Sequence, residues 1–272
     1  MDLQILVATM HQSDFSLVDR MNIRTNAIFA NQTSQNCFEE QTYDFGQVKM
    51  ISTHTRGVGL NRNIALLAAN ADILLMSDDD MCYYDGTLEG VKDAFQKNPK
   101  ADVIIFSTDI TKNGEIIRRR YNTNKRARVW NSLKYGTYAI SIRRQALIKA
   151  NLKFNELFGG GCPFSCGEDS LFIKACFDAG LKVYTHSYVL GTCAKDVSSW
   201  FSGYSEKYLY DKGVLYSFLF PKLKYLLAVY YSFRLKSKTR FSVWKNLKLI
   251  CQGIKNAKAM KTYSAFCEEK KK

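Results

Sequence analysis

The sequence predicts an α/β protein: a mostly parallel central sheet flanked by helices, followed by a basic helical C-terminal extension. Three observations lead there. Short apolar runs that read as buried strands, Leu3–Ala8, Ala27–Ala30, Val48–Ser52 and Ile73–Met76, recur along the first part of the chain. Between the last two stands R-G-V-G-L-N-R-N-I-A-L-L-A-A-N, a segment that opens with two glycines and becomes helical. Strand, helix and strand at that spacing favour parallel pairing. The third observation is charge. Residues 205–272 hold 16 Lys/Arg against 4 Asp/Glu, whereas the first 204 residues hold 23 against 21, so nearly all of the net +14 resides in the tail. The expected division is therefore 1–204 as the main domain and 205–272 as a basic, aromatic-rich helical region.

The first strand gives way to the polar Thr9–Asp14, with a helix expected near Phe15. In the glycine-led helix, Leu60, Ile64, Leu67 and Ala68 fall on one face, the pattern of a side turned to the core. Gly90–Asn98 reads as a surface helix stopped before Pro99, and Ala101–Ser107 as a buried strand. Asn113-Gly114 marks a hairpin turn within Asp109–Ile117. A basic loop follows, carrying Arg118, Arg119, Arg120, Lys125, Arg126 and Arg128; it is either solvated surface or a clamp for an anion. Tyr138–Ile142 is a strand, Arg144–Ala150 a short helix, Ser170–Ala179 a helix, and Leu181–Thr185 a strand ending at His186. In the tail, Lys207–Phe220 and Leu223–Leu235 mix aromatics, leucines and lysines, and Trp244, Leu247 and Ile250 are placed on one face of a basic helix. Such helices suit a membrane interface or packing against protein, and no nucleic-acid recognition motif is present. The eight cysteines contain no C-x-x-C pair and read as reduced thiols; Cys162 and Cys166 are at most a weak metal signal. No signal peptide and no membrane span are expected.

Two stretches carry candidate chemistry. The strand Ile73–Met76 runs into Asp78, Asp79 and Asp80. Adjacent carboxylates repel unless a cation sits among them, and Mg²⁺ or Mn²⁺ is held by one or two carboxylates together with substrate phosphates. A solvated acidic turn is the competing reading. Further on, F-G-G-G-C-P-F-S-C-G-E-D-S-L-F combines three glycines, which permit backbone to approach a ligand, with Glu168 and Asp169 at a helix start. Simple helix capping by these acids is the alternative there.

Four segments now stand in a fixed order: the first strand, R-G-V-G-L-N-R-N-I-A-L, the strand ending S-D-D-D, and G-E-D-S-L-F, the last two separated by about 90 residues. This order resembles the family 2 glycosyltransferases, inverting enzymes with the GT-A fold, of the kind that build bacterial surface polysaccharides; the resemblance covers about residues 1–190. It implies that Asp80, with Asp78, holds Mn²⁺ or Mg²⁺, and that His186 completes that metal site. It implies donor contacts from Thr9, Arg62, Asp78 and Asp79. Asp169 becomes the catalytic base, Glu168, Gly160 and Gly161 bind the acceptor, and Ser198–Phe201 belong to the part that closes over substrate. The triplet fits two registers, D-x-D at Asp78 and Asp80 or, over Ser77–Asp80, D-S-D-D with its first Asp lost, and two further departures stand out. Ala8-Thr9-Met10-His11 occupies the place of a frequent P-T-Y-N, and the neutral Asn31-Gln32-Thr33-Ser34 that of an acidic D-x-x-S-x-D.

The expected activity is metal-dependent, inverting transfer of a hexose or N-acetylhexosamine from a nucleotide-sugar, a UDP-sugar, to a glycan or lipid-linked saccharide. The basic tail is expected to hold a cytoplasmic enzyme at the inner face of the cell membrane. A nucleotidyltransferase and a non-catalytic glycan- or membrane-binding protein are the alternatives; the first calls for a glycine-rich basic signature on the first loop, which Thr9–Asp14 lacks.

Overall fold

The computed structural model of the 272-residue chain describes residues 1–120, 123–194 and 203–271. Its centre is a mixed sheet built on four parallel strands: β1 (Leu3–Met10), β2 (Ala27–Gln32), β4 (Gly46–Thr53) and β5 (Ile73–Asp78). The order across the sheet is β4-β2-β1-β5, so the chain winds outward from β1 in one direction and then returns to its other side. That reversal makes a crevice at the carboxyl ends of β1 and β5, where α/β sheets place their ligands. Ala8 pairs with Asp78 across it, which sets Thr9 beside the acidic triplet. All eight residues of β1 except Met10 are buried, as are the six of β2. Continuous apolar runs of this kind belong to strands covered on both faces.

Beyond β5 the sheet continues through β10 (Ile140–Arg143), antiparallel to both neighbours, to β7 (Val103–Lys112) and β11 (Val183–Ala194), which run parallel to each other. β6 (Met81–Tyr83) closes that edge. β8 (Glu115–Arg120) folds back on β7 through the turn at Asn113-Gly114, as predicted, and β9 (Lys125–Arg126) pairs with β11. The opposite edge is β3 (Cys37–Tyr43), a strand the sequence reading missed. Six of its seven residues are exposed and most are polar, so apolar patterning gives no sign of it; its hydrogen bonds to β4 alone define it. The strand expected to end at Thr185 runs on to Ala194, and the helix expected near Phe15 is only α1 (Leu17–Arg20).

In α2 (Val58–Ala68) the buried set departs from the expected apolar face: Leu60 and Ile64 are only half-buried, and Leu67 and Ala68 are exposed. Leu67 is 87% exposed, while Asn61, Arg62 and Asn63 are buried. The reason is hydrogen bonding. Asn61 donates to the carbonyls of Thr9 at 3.1 Å and Ala30 at 2.7 Å, and Asn63 both donates to the Phe154 carbonyl at 3.0 Å and accepts the Phe154 amide at 2.7 Å. These fixed amide partners outweigh the burial of one leucine, since a hydrogen-bonding group left unpaired in the interior is the costlier option. Gly59 lets the helix approach: a Cβ there would lie 2.2 Å from the Asn155 carbonyl oxygen.

The remaining long helices are α3 (Thr87–Lys97), α6 (Glu168–Asp178) and the C-terminal α7 (Glu206–Leu219), α8 (Lys224–Arg234) and α9 (Val243–Asn256); short helices are α4 (Val129–Ser132), α5 (Arg144–Lys149) and α10 (Tyr263–Glu269). Among the described residues none is long and apolar enough to cross a membrane. α7 and α9 touch backbone to backbone. A Cβ on Gly253 would stand 1.9 Å from the Tyr210 carbonyl oxygen, and one on Gly213 2.0 Å from that of Ile250. Gly253→Ala is therefore expected to reduce stability by about 1–3 kcal/mol, the usual range for overpacking. Thermal unfolding checks this, and an unchanged Tm would mean that the two helices do not cross in contact. The buried side of α9 is Asn246, Leu249, Ile250, Gly253 and Ile254. Trp244 is 79% exposed and lies off that side, so the expected Trp244–Leu247–Ile250 face is corrected.

Candidate active site

The site is assembled by four chain segments that meet at the carboxyl end of β1 and β5. β5 delivers Asp78. Thr9, one residue past its partner on β1, donates its hydroxyl to Asp79 Oδ2 at 2.6 Å, and Gln12 in turn donates to Thr9 Oγ1 at 3.0 Å. Asn31, fully buried, fixes this loop: it accepts the Gln12 amide at 3.0 Å and donates to the Gln12 carbonyl and to Ser52 Oγ, both at 2.9 Å. The neutral residue that departs from the family pattern thus has a structural duty here.

From α2, Arg62 spans the centre. Its guanidinium donates to Asp78 Oδ1 at 2.5 Å and to Glu168 Oε1 at 3.1 Å, and its plane lies 5.4 Å from the Phe154 ring centroid. Its side chain is 6% exposed. Burial works against its charge, but the two carboxylates outweigh that and hold it above the ordinary arginine value. Arg62 is the physical link between the acidic strand end and the head of α6, residues 106 apart in sequence at Glu168.

α6 begins at Gly167, with φ +118°, a conformation that suits glycine. Glu168 accepts the Gly167 amide at 3.1 Å as well as Arg62, and Asp169 accepts the Ser170 amide at 2.6 Å. Enclosure in the cleft, and next the charge of Glu168, push the Asp169 carboxyl up to about 6. The glycine loop packs between α6 and α2. Gly160 accepts the Val58 amide at 2.9 Å, and a Cβ on Gly159 would meet both Val58, at 2.6 Å, and Glu168, at 2.8 Å. Gly161, at φ +75°, lies against Gly57, where a Cβ would come within 3.2 Å of its amide nitrogen.

A cleft of about 200 Å³ is lined by Arg62, Asp78, Glu168 and Asp169, joined by Lys134, Gly136, Thr137 and Tyr138. The structure thus brings together Arg62, Asp78, Glu168 and Asp169 in one cleft, with Thr9 and Asp79 next to it on β1 and β5. Arg62 Nε and Thr137 Oγ1 are buried and have no hydrogen-bond partner among the described residues. Lys134, Thr137 and Tyr138 were not found by sequence reasoning, because they lie between strands with no motif around them.

His186 is not part of this grouping, which corrects its expected place in the metal site. Its ring rests 5.6 Å from that of Phe106, its carbonyl accepts from Ser107 Oγ, and the charges nearest it are Asp93 and Lys97 of α3. The residues of β11 that reach the acidic triplet are Cys193, whose thiol approaches Asp80 Oδ2 at 3.6 Å, and Ala194, whose amide donates to the Asp80 carbonyl at 3.0 Å. Seven residues of β11 lie between His186 and Ala194. The basic loop is likewise not free to clamp a ligand at Arg119, which forms an ion pair with the fully buried Asp109. Ser198–Phe201 lie outside the described residues.

The donor set suits a hard cation. Enclosure and the charges of Asp78 and Asp79 push the Asp80 carboxyl up to about 7, a repulsion that a divalent ion would relieve. Among the described residues no three His, Cys, Asp or Glu side chains are grouped to close a cage of their own.

α7 supports the site from outside. Asp211, fully buried, accepts the Ser165 amide at 3.0 Å, the Ser165 hydroxyl at 2.8 Å and Lys207 Nζ at 2.5 Å, and so fixes the end of the glycine loop. One turn away, a Cβ on Gly167 would lie 2.5 Å from Leu215. Sequence reasoning assigned α7 only to the basic tail, where an isolated aspartate gives no signal.

An acidic strand end and a helix-borne carboxylate facing one cleft on this sheet define a GT-A glycosyltransferase. The family model described as "Glycosyl transferase family 2" matches residues 16–165; the chain belongs to that family and is a glycosyltransferase. Its fold matches that of S. aureus TarS 1-349 in complex with UDP-GlcNAc, with a TM-score of 0.60 at 14% identity, over 93% of this chain and 72% of that one. TarS 1-349 in complex with UDP gives 0.56 at 14% identity, over 95% and 72%. The longer S. aureus TarS gives 0.56 at 14% identity, over 97% of this chain and 44% of its own. No curated protein matches the sequence.

Proposed function

We propose that this glycosyltransferase moves a sugar from a UDP-sugar to a hydroxyl of a lipid-linked saccharide, with inversion and with the help of Mn²⁺ or Mg²⁺. One observation carries the reading: Asp78 and Asp169, from distant parts of the chain, line the same cleft and are connected through Arg62 and Glu168. Thr9, Asp78 and Asp79 bind the donor on the β1–β5 side, and Arg62 holds Asp78 in place for it. The acceptor lies over Glu168 and the Gly160-Gly161 turn. Asp169 takes the proton of the acceptor hydroxyl as that oxygen bonds to the anomeric carbon. The bond from that carbon to the diphosphate oxygen breaks, and its electron pair leaves with UDP. With one carboxylate acting on the acceptor and none attacking the sugar, a single displacement inverts the anomeric centre. A divalent ion held by Asp80 and Asp78 would neutralise charge developing on the departing diphosphate.

Residues 1–204 form the catalytic domain in this reading, and 205–272 a region that lies on the cytoplasmic face of a membrane. The support is α8. Leu223, Leu226, Tyr230 and Phe233 follow helical spacing on its outer side and are 39%, 66%, 53% and 65% exposed, with Lys222, Arg234, Lys236 and Lys238 around them. An outward apolar stripe set among cations suits an anionic interface.

Thermal shift with UDP, GDP and ADP, each with Mn²⁺ or with chelator, tests the donor reading. UDP with Mn²⁺ is expected to stabilise the chain by about 2.7 kcal/mol at 100 times its Kd. Equal response to all three, or to none, overturns the reading.

A further inference from the structure

Beside the catalytic cleft, on the other side of α4, lies a much larger groove of about 1170 Å³. Its walls include Val129, Phe177, Leu219 and Leu223, and a stacked pair, Trp130 and Phe220, with ring centroids 5.5 Å apart. Trp130 nevertheless leaves 73% of its surface to water. A volume above the usual range for small-molecule sites, walled by apolar groups, calls for an extended apolar ligand. The rim is cationic: Arg126, Arg128, Lys174 and Lys222 stand around it against one carboxylate, Asp178, which is already held by Lys174 at 2.7 Å. The ligand that complements both features is an amphiphile with an anionic head.

Two further facts place this ligand on the reaction path. The groove and the cleft share walls. α6 carries Glu168 and Asp169 at its head and Lys174, Phe177 and Asp178 along the groove, so Lys174 lies about 7.5 Å along the helix axis from Asp169. The segment from Val129 to Lys134 likewise lines the groove with its first residues and the cleft with its last. In addition, Leu223 belongs both to the groove and to the exposed stripe of α8, so the two apolar surfaces meet at that residue.

We infer that this groove seats the hydrocarbon chain of the acceptor lipid, with its phosphate at the Arg126–Arg128–Lys222 rim and its saccharide directed to Asp169. The inference rests on the lipid-linked reading of the acceptor and deepens it: the enzyme grips one lipid molecule and does not merely lie on the bilayer.

Binding to the full chain is measured by thermal shift and tryptophan fluorescence with three probes: geranylgeranyl phosphate below its micelle concentration, inorganic phosphate, and vesicles of anionic phospholipid. Geranylgeranyl phosphate is expected to bind at least about tenfold more tightly than inorganic phosphate, and Phe220→Ser to weaken it about tenfold, the size expected for losing one buried aromatic contact. Trp130→Ser, at an exposed position that folding does not need, is expected to do the same by thermal shift. Leu226→Ser with Phe233→Ser is expected to weaken vesicle binding and leave geranylgeranyl phosphate within about twofold, since neither residue lines the groove. Equal affinity for phosphate and its prenyl ester overturns the inference. So does vesicle binding without prenyl phosphate binding, which would leave only a membrane surface, and so does a dimer, seen by light scattering, that Trp130→Ser dissociates. UDP binding by the unaltered chain separates the two levels: UDP bound but no prenyl phosphate removes the groove alone, whereas prenyl phosphate bound but no UDP removes the glycosyl-transfer assignment of the cleft and leaves the groove.

Discussion

Asp169→Asn is expected to lower kcat about 10²- to 10⁴-fold, the range for loss of a general base, while UDP binding stays within about twofold. The amide keeps the size of the carboxylate and can still accept the Ser170 amide, which Asp169 does at 2.6 Å, so the head of α6 is preserved. What disappears is the ability to take a proton. The pH profile supplies a second readout. Enclosure and the neighbouring Glu168 raise Asp169 to about 6. A base works only when unprotonated, so wild-type kcat should rise with pH and reach half its plateau near that value, and the residual activity of Asp169→Asn should lack this ascending limb. Raising this pKa makes the carboxylate a stronger base without leaving it protonated at neutral pH. If Asp169→Asn retained wild-type kcat, the base would have to be sought elsewhere in the cleft.

Arg62→Ala is expected to damage both stability and activity. Removing one member of a buried ion pair costs about 3–5 kcal/mol in general; Asp78 is 31% exposed and Glu168 16%, so the lower part of that range applies here. The two carboxylates that Arg62 held together would then repel, and an error of about 1 Å in a reacting group can reduce rate about 10²-fold. Arg62→Lys should rescue little, because a single ammonium cannot fork to two carboxylates while lying over the Phe154 ring. Arg62→Ala combined with Glu168→Gln removes the repulsion between these two side chains and should recover part of the lost Tm without restoring turnover. These outcomes are read by thermal unfolding and by steady-state kinetics. A single Arg62→Ala variant with unchanged Tm would show that the bridge is not formed.

The chemistry of the cleft was legible where it is written as a contiguous string. Asp78–Asp80 follow an apolar run long enough for a buried strand, and Glu168-Asp169 follow glycines and precede a helical pattern. Each residue type at each place narrows the possibilities without knowledge of its neighbours in space. The glycosyl-transfer reading followed from the resemblance of the order of these strings to that of the family 2 glycosyltransferases. The basic excess of the tail was legible in the same way, as a count. His186 was misplaced because its position after a strand says nothing of how far that strand runs: β11 continues to Ala194, and its last residues, not its middle, reach Asp80.

α2 shows most clearly what the linear chain withholds. Its apolar residues predicted a buried face with Leu60, Ile64, Leu67 and Ala68, whereas Asn61, Arg62 and Asn63 are buried beside Ala65 and Leu66. Periodicity counts only transfer from water, whereas the burial of those three side chains depends on particular carbonyls and carboxylates, from Thr9, Ala30, Phe154, Asp78 and Glu168, that only the folded chain supplies. The same holds for Lys134, Thr137 and Tyr138 in the cleft, for Asp211 behind the glycine loop, and for the groove at Trp130 and Phe220. By itself the sequence determined the layer architecture, the acidic strand end, the carboxylate at the head of α6 and the charge of the tail, because each is a local property of composition and order. Tertiary structure alone decided which of these groups meet, since hydrogen bonds and ion pairs are set by distances of about 3 Å between residues that, as at Arg62 and Glu168, stand more than a hundred positions apart.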